Sequence, residues 1–108
     1  MEALPMVSYT SVERYSPAGE YIRLVILRRL VKGPATVEEL DAVAKRAVEA
    51  LGVRYDWRVW PELVKREAVI ENGVARLTPY GEVFVREALK EVEEWLGKVF
   101  PQLSSIRT

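Results

Sequence analysis

The chain has 108 residues, 49% of them hydrophobic, and its 16 basic and 16 acidic side chains give a formal net charge of zero. This length predicts one domain whose core is large enough to be stable without a disulfide or a metal ion. The sequence contains no Cys and no His, which excludes disulfides, thiol nucleophiles, imidazole bases and almost every kind of zinc site. Zero net charge also argues against a polycation that coats nucleic acid by charge alone.

Several patterns predict a soluble, cytoplasmic protein without enzyme activity. The longest apolar run, residues 24–27, is far too short for a membrane span, and the first residues lack the pattern of a signal peptide. Adjacent glutamates such as Glu38 and Glu39 point about 100° apart on a helix and do not converge on a substrate. The six glycines are scattered rather than gathered in a phosphate-binding loop. We therefore expect no catalytic residue, no cofactor and no metal.

The composition also resembles that of proteins that work at high temperature. Asn72 and Gln102 are the only carboxamides, whereas 30% of the residues are charged. Few thermolabile side chains and many charges are typical of thermophilic proteins.

The first half of the chain predicts an arm followed by two helices. Residues 1–19 lack a clear period, and we leave open whether they form a short strand, a docked coil or a swapped segment. Residues 20–32 predict a helix with apolar side chains on two sides, which Gly33 and Pro34 end. Thr36 and Glu39 have the spacing of a capping box that starts the second helix. Its apolar positions recur at intervals of three and four residues up to Gly52.

The start of the third helix is ambiguous in the sequence. Asp56 is a good N-cap, and Trp57, Trp60 and Val64 share one face of a helix that begins there. Pro61 would then remove an internal hydrogen bond of that helix. The alternative is a helix that begins at Pro61 itself, because proline is favoured in the first turn.

A β-hairpin is the clearest local prediction. Asn72-Gly73 separates two strand-like segments, residues 68–71 and 74–77, and this dipeptide favours a type I′ turn. A two-residue loop pairs 71 with 74 and 68 with 77. One face of the hairpin is then entirely apolar, with Ala68, Ile70, Ala75 and Leu77. The other face, with Val69, Glu71, Val74 and Arg76, is partly charged, and this separation supports the register.

The last helix is predicted from Pro79 to about Val99, with Thr78 as its cap. Apolar residues follow the 4-3-4-3 spacing of a coiled-coil seam. One interpretation packs this seam on the chain's own domain. The other is a homodimer, because the far end of the seam would otherwise need cover. The predicted dimer interface consists of Val85, Leu89, Val92, Trp95, Leu96 and Val99.

The order of these elements resembles the winged helix–turn–helix family of DNA-binding proteins, in an archaeal or thermophile-like regulator arrangement with an extra C-terminal helix. The resemblance covers residues 20–100, with residues 101–108 as a tail. It is carried by residues 35–40, residues 63–70, Asn72-Gly73, and the segment Leu77-Thr78-Pro79-Tyr80-Gly81. It implies a mostly α fold with a small β-hairpin wing, that is, an α+β class. Three features depart from the family pattern. The stretch that leads up to Asp56 is long, a proline stands at position 61 within the third helix, and the acidic Glu71 lies beside the wing tip.

The resemblance implies a DNA-contact surface on the third helix and the wing. Carried over to this chain, the DNA-binding residues are Arg54, Arg58, Glu62, Lys65, Arg66 and Arg76. Residues 23–66 hold ten basic and six acidic side chains, so the positive excess falls in the same region. The alternative is an ordinary solvated face on which Arg58 and Glu62 form an i,i+4 ion pair.

The aromatic cluster before the third helix has two interpretations. Tyr55, Trp57 and Trp60 lie close to Arg54 and Arg58 in sequence, and aromatic side chains beside arginine stack on single-stranded bases. Helical spacing favours core packing instead.

Two functions follow from these patterns. The first is a homodimeric double-stranded-DNA-binding protein that regulates transcription. The second is a winged helix that binds only protein, as an adaptor or a subunit of a larger complex. Zero net charge, the acidic wing tip and Pro61 favour the second, and the basic excess around the third helix favours the first.

Overall fold

Five α-helices, one 3₁₀ turn and three short β-strands make up residues 16–101, the part of the chain that the computed structural model describes. In chain order they are α1 (Pro17–Val31), β1 (Ala35–Thr36), α2 (Val37–Leu51), the 3₁₀ turn (Trp57–Val59), α3 (Trp60–Leu63), β2 (Ala68–Glu71), β3 (Val74–Leu77), α4 (Pro79–Glu87) and α5 (Leu89–Val99). This mostly helical architecture with a small antiparallel sheet agrees with the predicted α+β class. The predictions for residues 1–15 and 102–108 fall outside the described residues.

Helix α1 is the centre of the core and begins earlier than predicted. Ile22, Ile26 and Leu27 are completely buried. The Ser16 hydroxyl accepts a hydrogen bond from the Gly19 amide at 3.1 Å, and Pro17 takes the first helical position. The predicted arm therefore extends too far by three residues, because a serine followed by proline is itself a helix start.

Helix α2 has the predicted bounds but only half of the predicted capping box. The Thr36 hydroxyl accepts a hydrogen bond from the Glu39 amide at 3.1 Å. The Glu39 carboxylate does not reach back, because Arg29 of α1 binds it instead. Gly52 ends the helix with φ 68° and ψ 28°, a left-handed conformation that favours glycine.

The hairpin has the predicted register and turn. Glu71 pairs with Val74, and Ala68 pairs with Leu77. Asn72 and Gly73 both have positive φ, 53° and 76°, as a type I′ turn requires. A third strand was not predicted: β1 adds to the other side of β3, which gives the order β1-β3-β2. Two residues are too few to show a strand pattern in the sequence.

The apolar face of the hairpin is only partly buried. Ala68 and Ala75 are buried, but Ile70 is 39% exposed. Strand β2 is at the edge of the sheet, and Ile70 lies next to its turn end.

The structure resolves the ambiguity around Pro61. Helix α3 is a single turn, Trp60–Leu63, and Pro61 lies in that first turn, where its missing N–H costs no hydrogen bond. Residues 57–59 form a 3₁₀ turn before it. Trp60 is completely buried, and its indole Nε1 donates a hydrogen bond to Asp41 of α2 at 2.7 Å.

The predicted last helix is two helices. Ala88 has φ −123°, outside the helical region, and separates α4 from α5. Both pieces contact α1. Leu89 is buried, and Leu96 has no exposed surface, so the expectation that Leu96 needs cover from a second copy is wrong. The broken helix thus buries Leu89 and Leu96 of the seam in the chain's own core, whereas Val99 is 39% exposed.

Candidate nucleic-acid interface

All six residues predicted to contact DNA are exposed. Five of them fall in one segment, residues 54–66, which runs from the end of α2 through the 3₁₀ turn and α3 to the turn before β2. The sixth, Arg76, lies on β3. We call these six residues the predicted contact set. The structure does not form them into one continuous cluster, and their pairings differ.

Arg58 is bound by the residue that caps its own turn. The Asp56 carboxylate accepts hydrogen bonds from the Arg58 amide at 3.1 Å and from the Arg58 guanidinium at 2.9 and 3.3 Å. These hydrogen bonds, first the side-chain ones and then the backbone one, lower the pKa of Asp56 below its ordinary value. Asp56 thus both starts the turn and fixes the position of the Arg58 guanidinium.

A second ion pair joins Glu62 and Lys65. Lys65 Nζ lies 2.6 Å from the Glu62 carboxylate, and both side chains are more than 60% exposed. The alternative interpretation expected an i,i+4 pair between Arg58 and Glu62. That pairing is wrong, because Arg58 binds Asp56 instead. The side chains of Arg58 and Glu62 are nevertheless both exposed to solvent, as that interpretation expected.

Arg76 is set apart from the others. It binds Glu71 of the neighbouring strand near the tip of the hairpin. It also lines a groove of about 500 Å³ between α1, β3 and α4, together with Leu77, Val85 and Arg86. Arg76 thus belongs to the hairpin surface rather than to the surface of residues 54–66.

Arg54 and Arg66 are the cations of the set without an ion pair in residues 16–101. Both are exposed. Exposed ion pairs such as Asp56–Arg58 and Glu62–Lys65 contribute little to stability, because water screens both charges. An approaching phosphate can therefore displace these carboxylates at low cost, and Arg54 and Arg66 have none to displace.

A buried charged cluster was not predicted. Arg23 of α1 binds Glu20 at 3.1 Å and Glu67 at 2.7 Å, and all three side chains are at most 5% exposed. The Arg23 guanidinium also lies 4.3 Å from the centre of the Phe84 ring. Burial alone would lower the pKa of Arg23, but the two carboxylates outweigh it, Glu67 first, and raise this pKa. The sequence did offer one signal for this cluster, because Glu20 and Arg23 stand three residues apart on an otherwise apolar helix. No sequence pattern indicated that Glu67 is their partner.

Glu67 of this cluster directly follows Arg66 of the predicted contact set, and Thr78 holds the backbone of both residues in place. The Thr78 hydroxyl donates a hydrogen bond to the Arg66 carbonyl at 2.9 Å, and the Thr78 amide donates one to the Glu67 carbonyl at 2.9 Å. A Cβ on Gly81 would lie 2.0 Å from the same Glu67 carbonyl oxygen. Glycine therefore lets α4 pack directly on the backbone of the turn that carries Lys65 and Arg66.

In the described range, residues 16–101, no helix is long and apolar enough to cross a membrane. Over the same range, no group of three or more acidic residues is placed to hold a metal ion. Comparisons with protein-family models, with curated proteins and with solved structures give no match to this chain. Its function therefore has to be argued from its own residues.

Proposed function

We propose that this chain is a winged helix–turn–helix protein that binds double-stranded DNA as a homodimer and regulates transcription. The element order supports the fold part of the proposal: a helix, a short strand, two helices and a hairpin whose second strand pairs with the short strand. In such an arrangement the segment of α3 faces the major groove and the hairpin touches the DNA backbone.

One observation carries the DNA-binding part. Five cations of residues 54–76 are exposed, while the three carboxylates among their neighbours are also exposed and bound only through surface pairs. These cations are Arg54, Arg58, Lys65, Arg66 and Arg76. The excess of two positive charges suits contact with phosphates, which supplies most of the affinity of non-specific DNA binding.

The short α3 limits what this surface does. It is one turn long and follows a 3₁₀ turn, so few of its side chains reach base edges at once. We therefore expect the proposed contacts to be mostly to phosphates, with Arg58 as the candidate for a guanine contact. A second copy would double the number of contacts, which is why the homodimer remains part of the proposal.

The candidate dimer surface is smaller than predicted. Leu89 and Leu96 are buried in the chain's own core. Val85, Val92 and Trp95 are partly buried against that core, and Val99 is 39% exposed. These four remain as the proposed contact with a second copy, and sedimentation equilibrium at several protein concentrations tests it.

The DNA proposal is tested with two matched double variants. Arg58→Ala with Lys65→Ala removes two cations from the predicted contact set, and Lys90→Ala with Lys98→Ala removes two exposed cations from α5. We expect the first variant to lose binding of a fluorescent random-sequence duplex, measured by anisotropy, and the second to keep it. Both should retain the melting temperature of the parent chain. Equal binding by the two variants would refute the proposed surface.

The second candidate is a winged helix that binds protein alone. Tyr80 and Val83 of α4 are 51% and 44% exposed, and their i,i+3 spacing places them on one face. This candidate predicts no salt-sensitive duplex binding by the parent chain. It also predicts that Tyr80→Ser with Val83→Ser abolishes capture of a partner from a cell extract.

A further inference from the structure

A shallow pocket of about 600 Å³ lies where the chain leaves α2 and enters the 3₁₀ turn. Five consecutive residues line it: Arg54, Tyr55, Asp56, Trp57 and Arg58. Tyr55 and Trp57 are partly buried, and each packs against the hydrophobic core while it lines the pocket. The core thus supports the two aromatic side chains, which remain partly accessible from outside.

The charges of the pocket select the kind of ligand. Asp56 neutralises Arg58 through guanidinium–carboxylate distances of 2.9 and 3.3 Å. Arg54 then leaves one net positive charge at the rim. A cationic ring would be repelled by that charge, whereas a neutral planar ring attached to one anionic group fits both features.

A nucleotide has this combination, a flat base and a backbone phosphate. In a duplex both faces of a base are covered by its neighbours, so the two aromatic side chains are accessible only to a base that has left the stack. We propose that the pocket binds one unpaired nucleotide of a nucleic-acid strand, with its base on Tyr55 or Trp57 and its phosphate at Arg54. This inference rests on the proposed function, because it assigns nucleic acid as the ligand and shares Arg54 and Arg58 with the duplex surface.

The test compares two labelled strands of equal length and charge: an oligothymidine and the corresponding abasic oligonucleotide. Anisotropy titrations with the full chain should show at least about fivefold tighter binding of the oligothymidine, since each base that stacks on an aromatic side chain adds affinity. Trp57→Leu and Tyr55→Leu each keep an apolar side chain but remove one ring, and the variant that lacks the ring on which the base stacks should lose this preference. Trp57→Phe should retain most of it.

Tyr80→Leu is the matched control, because it removes an exposed ring outside the pocket and should leave the preference unchanged. If Trp57→Leu or Tyr55→Leu fails to fold, as its melting curve would show, the other variant and the parent chain still test the inference. Equal binding of the two strands by the parent chain would overturn the inference. So would a preference that survives in both folded pocket variants.

Duplex titrations of the same variants separate the two proposals. Pocket variants should keep duplex binding, because they retain every cation of the predicted contact set. A chain that prefers the oligothymidine but does not bind duplex refutes the proposed function and keeps the pocket. A chain that binds duplex but shows no base preference refutes the pocket alone.

Discussion

The chain uses arginine–glutamate and arginine–aspartate pairs in two different settings. In the buried cluster, Arg23 binds Glu20 and Glu67 where all three side chains are at most 5% exposed. On the surface, the side chains of Arg58 and Asp56 are 74% and 52% exposed. The distances are similar, 2.7 to 3.1 Å against 2.9 Å, so geometry alone does not distinguish their roles.

Burial makes the difference. Removing one member of a buried ion pair leaves its partner charged in a medium of low polarity, whereas water solvates the remaining member of an exposed pair. The buried cluster is therefore structural: it fixes α1 to the turn before β2 and to α4. The exposed pairs contribute little to stability, so their cations are available to a ligand.

The largest effect is expected at the buried cluster. Arg23→Met should lower the free energy of unfolding by about 3–5 kcal/mol, because Glu20 and Glu67 lose the cation between them. Urea unfolding monitored by circular dichroism measures this change. Arg58→Met is the exposed counterpart and should lower the free energy of unfolding far less, because water solvates the Asp56 carboxylate that remains. Equal losses in the two variants would mean that burial does not govern these pairs.

Gly81→Ala tests the contact between α4 and the turn before β2, next to that cluster. The new Cβ would lie 2.0 Å from the Glu67 carbonyl oxygen, so α4 or the turn before β2 must shift. We expect a loss of about 1–3 kcal/mol, as for other overpacked sites, in the same urea experiment. A variant as stable as the parent chain would show that this contact is not close in solution.

The exposed cations should have almost no effect on stability. Arg54→Ala with Arg66→Ala should change the free energy of unfolding by no more than about 0.5 kcal/mol per substitution, since neither side chain has an ion pair in residues 16–101. The same variant should reduce the salt dependence of duplex binding, with a log–log slope less steep by about 1.8 for two lost phosphate contacts. A large loss of stability would mean that Arg54 and Arg66 have a structural role like that of the buried cluster around Arg23.

The smallest effect is the pH dependence of Asp56. Its pKa is lowered in the folded chain by hydrogen bonds from Arg58, so its contribution to stability is complete above the pKa of the unfolded chain. That contribution decreases as the pH falls through the lower pKa of the folded chain. In an NMR titration, the Asp56 carboxyl should titrate below an ordinary aspartate, and Arg58→Met should return its pKa toward the usual value. Identical titrations in the two chains would contradict the pairing.

Local sequence signals predicted much of the fold. Asn72-Gly73 fixed the register of the hairpin, Gly52 marked the end of α2, and Thr78 marked the start of α4, because each acts through its own backbone geometry. The break at Ala88 has no such signal, since neither glycine nor proline stands there. Both α4 and α5 contact α1, a helix more than 45 residues earlier in the chain, and local sequence patterns do not report such contacts.

The sequence predicted which cations of the candidate site are exposed, but not which carboxylates they bind. The exposure of Arg58, Lys65 and Arg66 followed from their positions opposite the apolar face of the third helix. That Arg58 binds Asp56 rather than Glu62 depends on the 3₁₀ turn of residues 57–59, and the sequence left open whether the helix began before or at Pro61. The pairing of Arg23 with Glu67 could not be predicted, because the two residues are 44 positions apart along the chain.

The central claim is that the exposed cations of residues 54–76 exchange their surface carboxylates for DNA phosphates. Its most direct test is the anisotropy of a labelled random-sequence duplex titrated with the parent chain between about 50 and 200 mM salt. We expect binding that weakens with salt, with a log–log slope of about −0.9 for each phosphate contact, and a slope steeper than about −1.8 because more than two cations contact phosphates. No binding at the lowest salt, or binding that salt leaves unchanged, would contradict it and favour the protein-binding alternative.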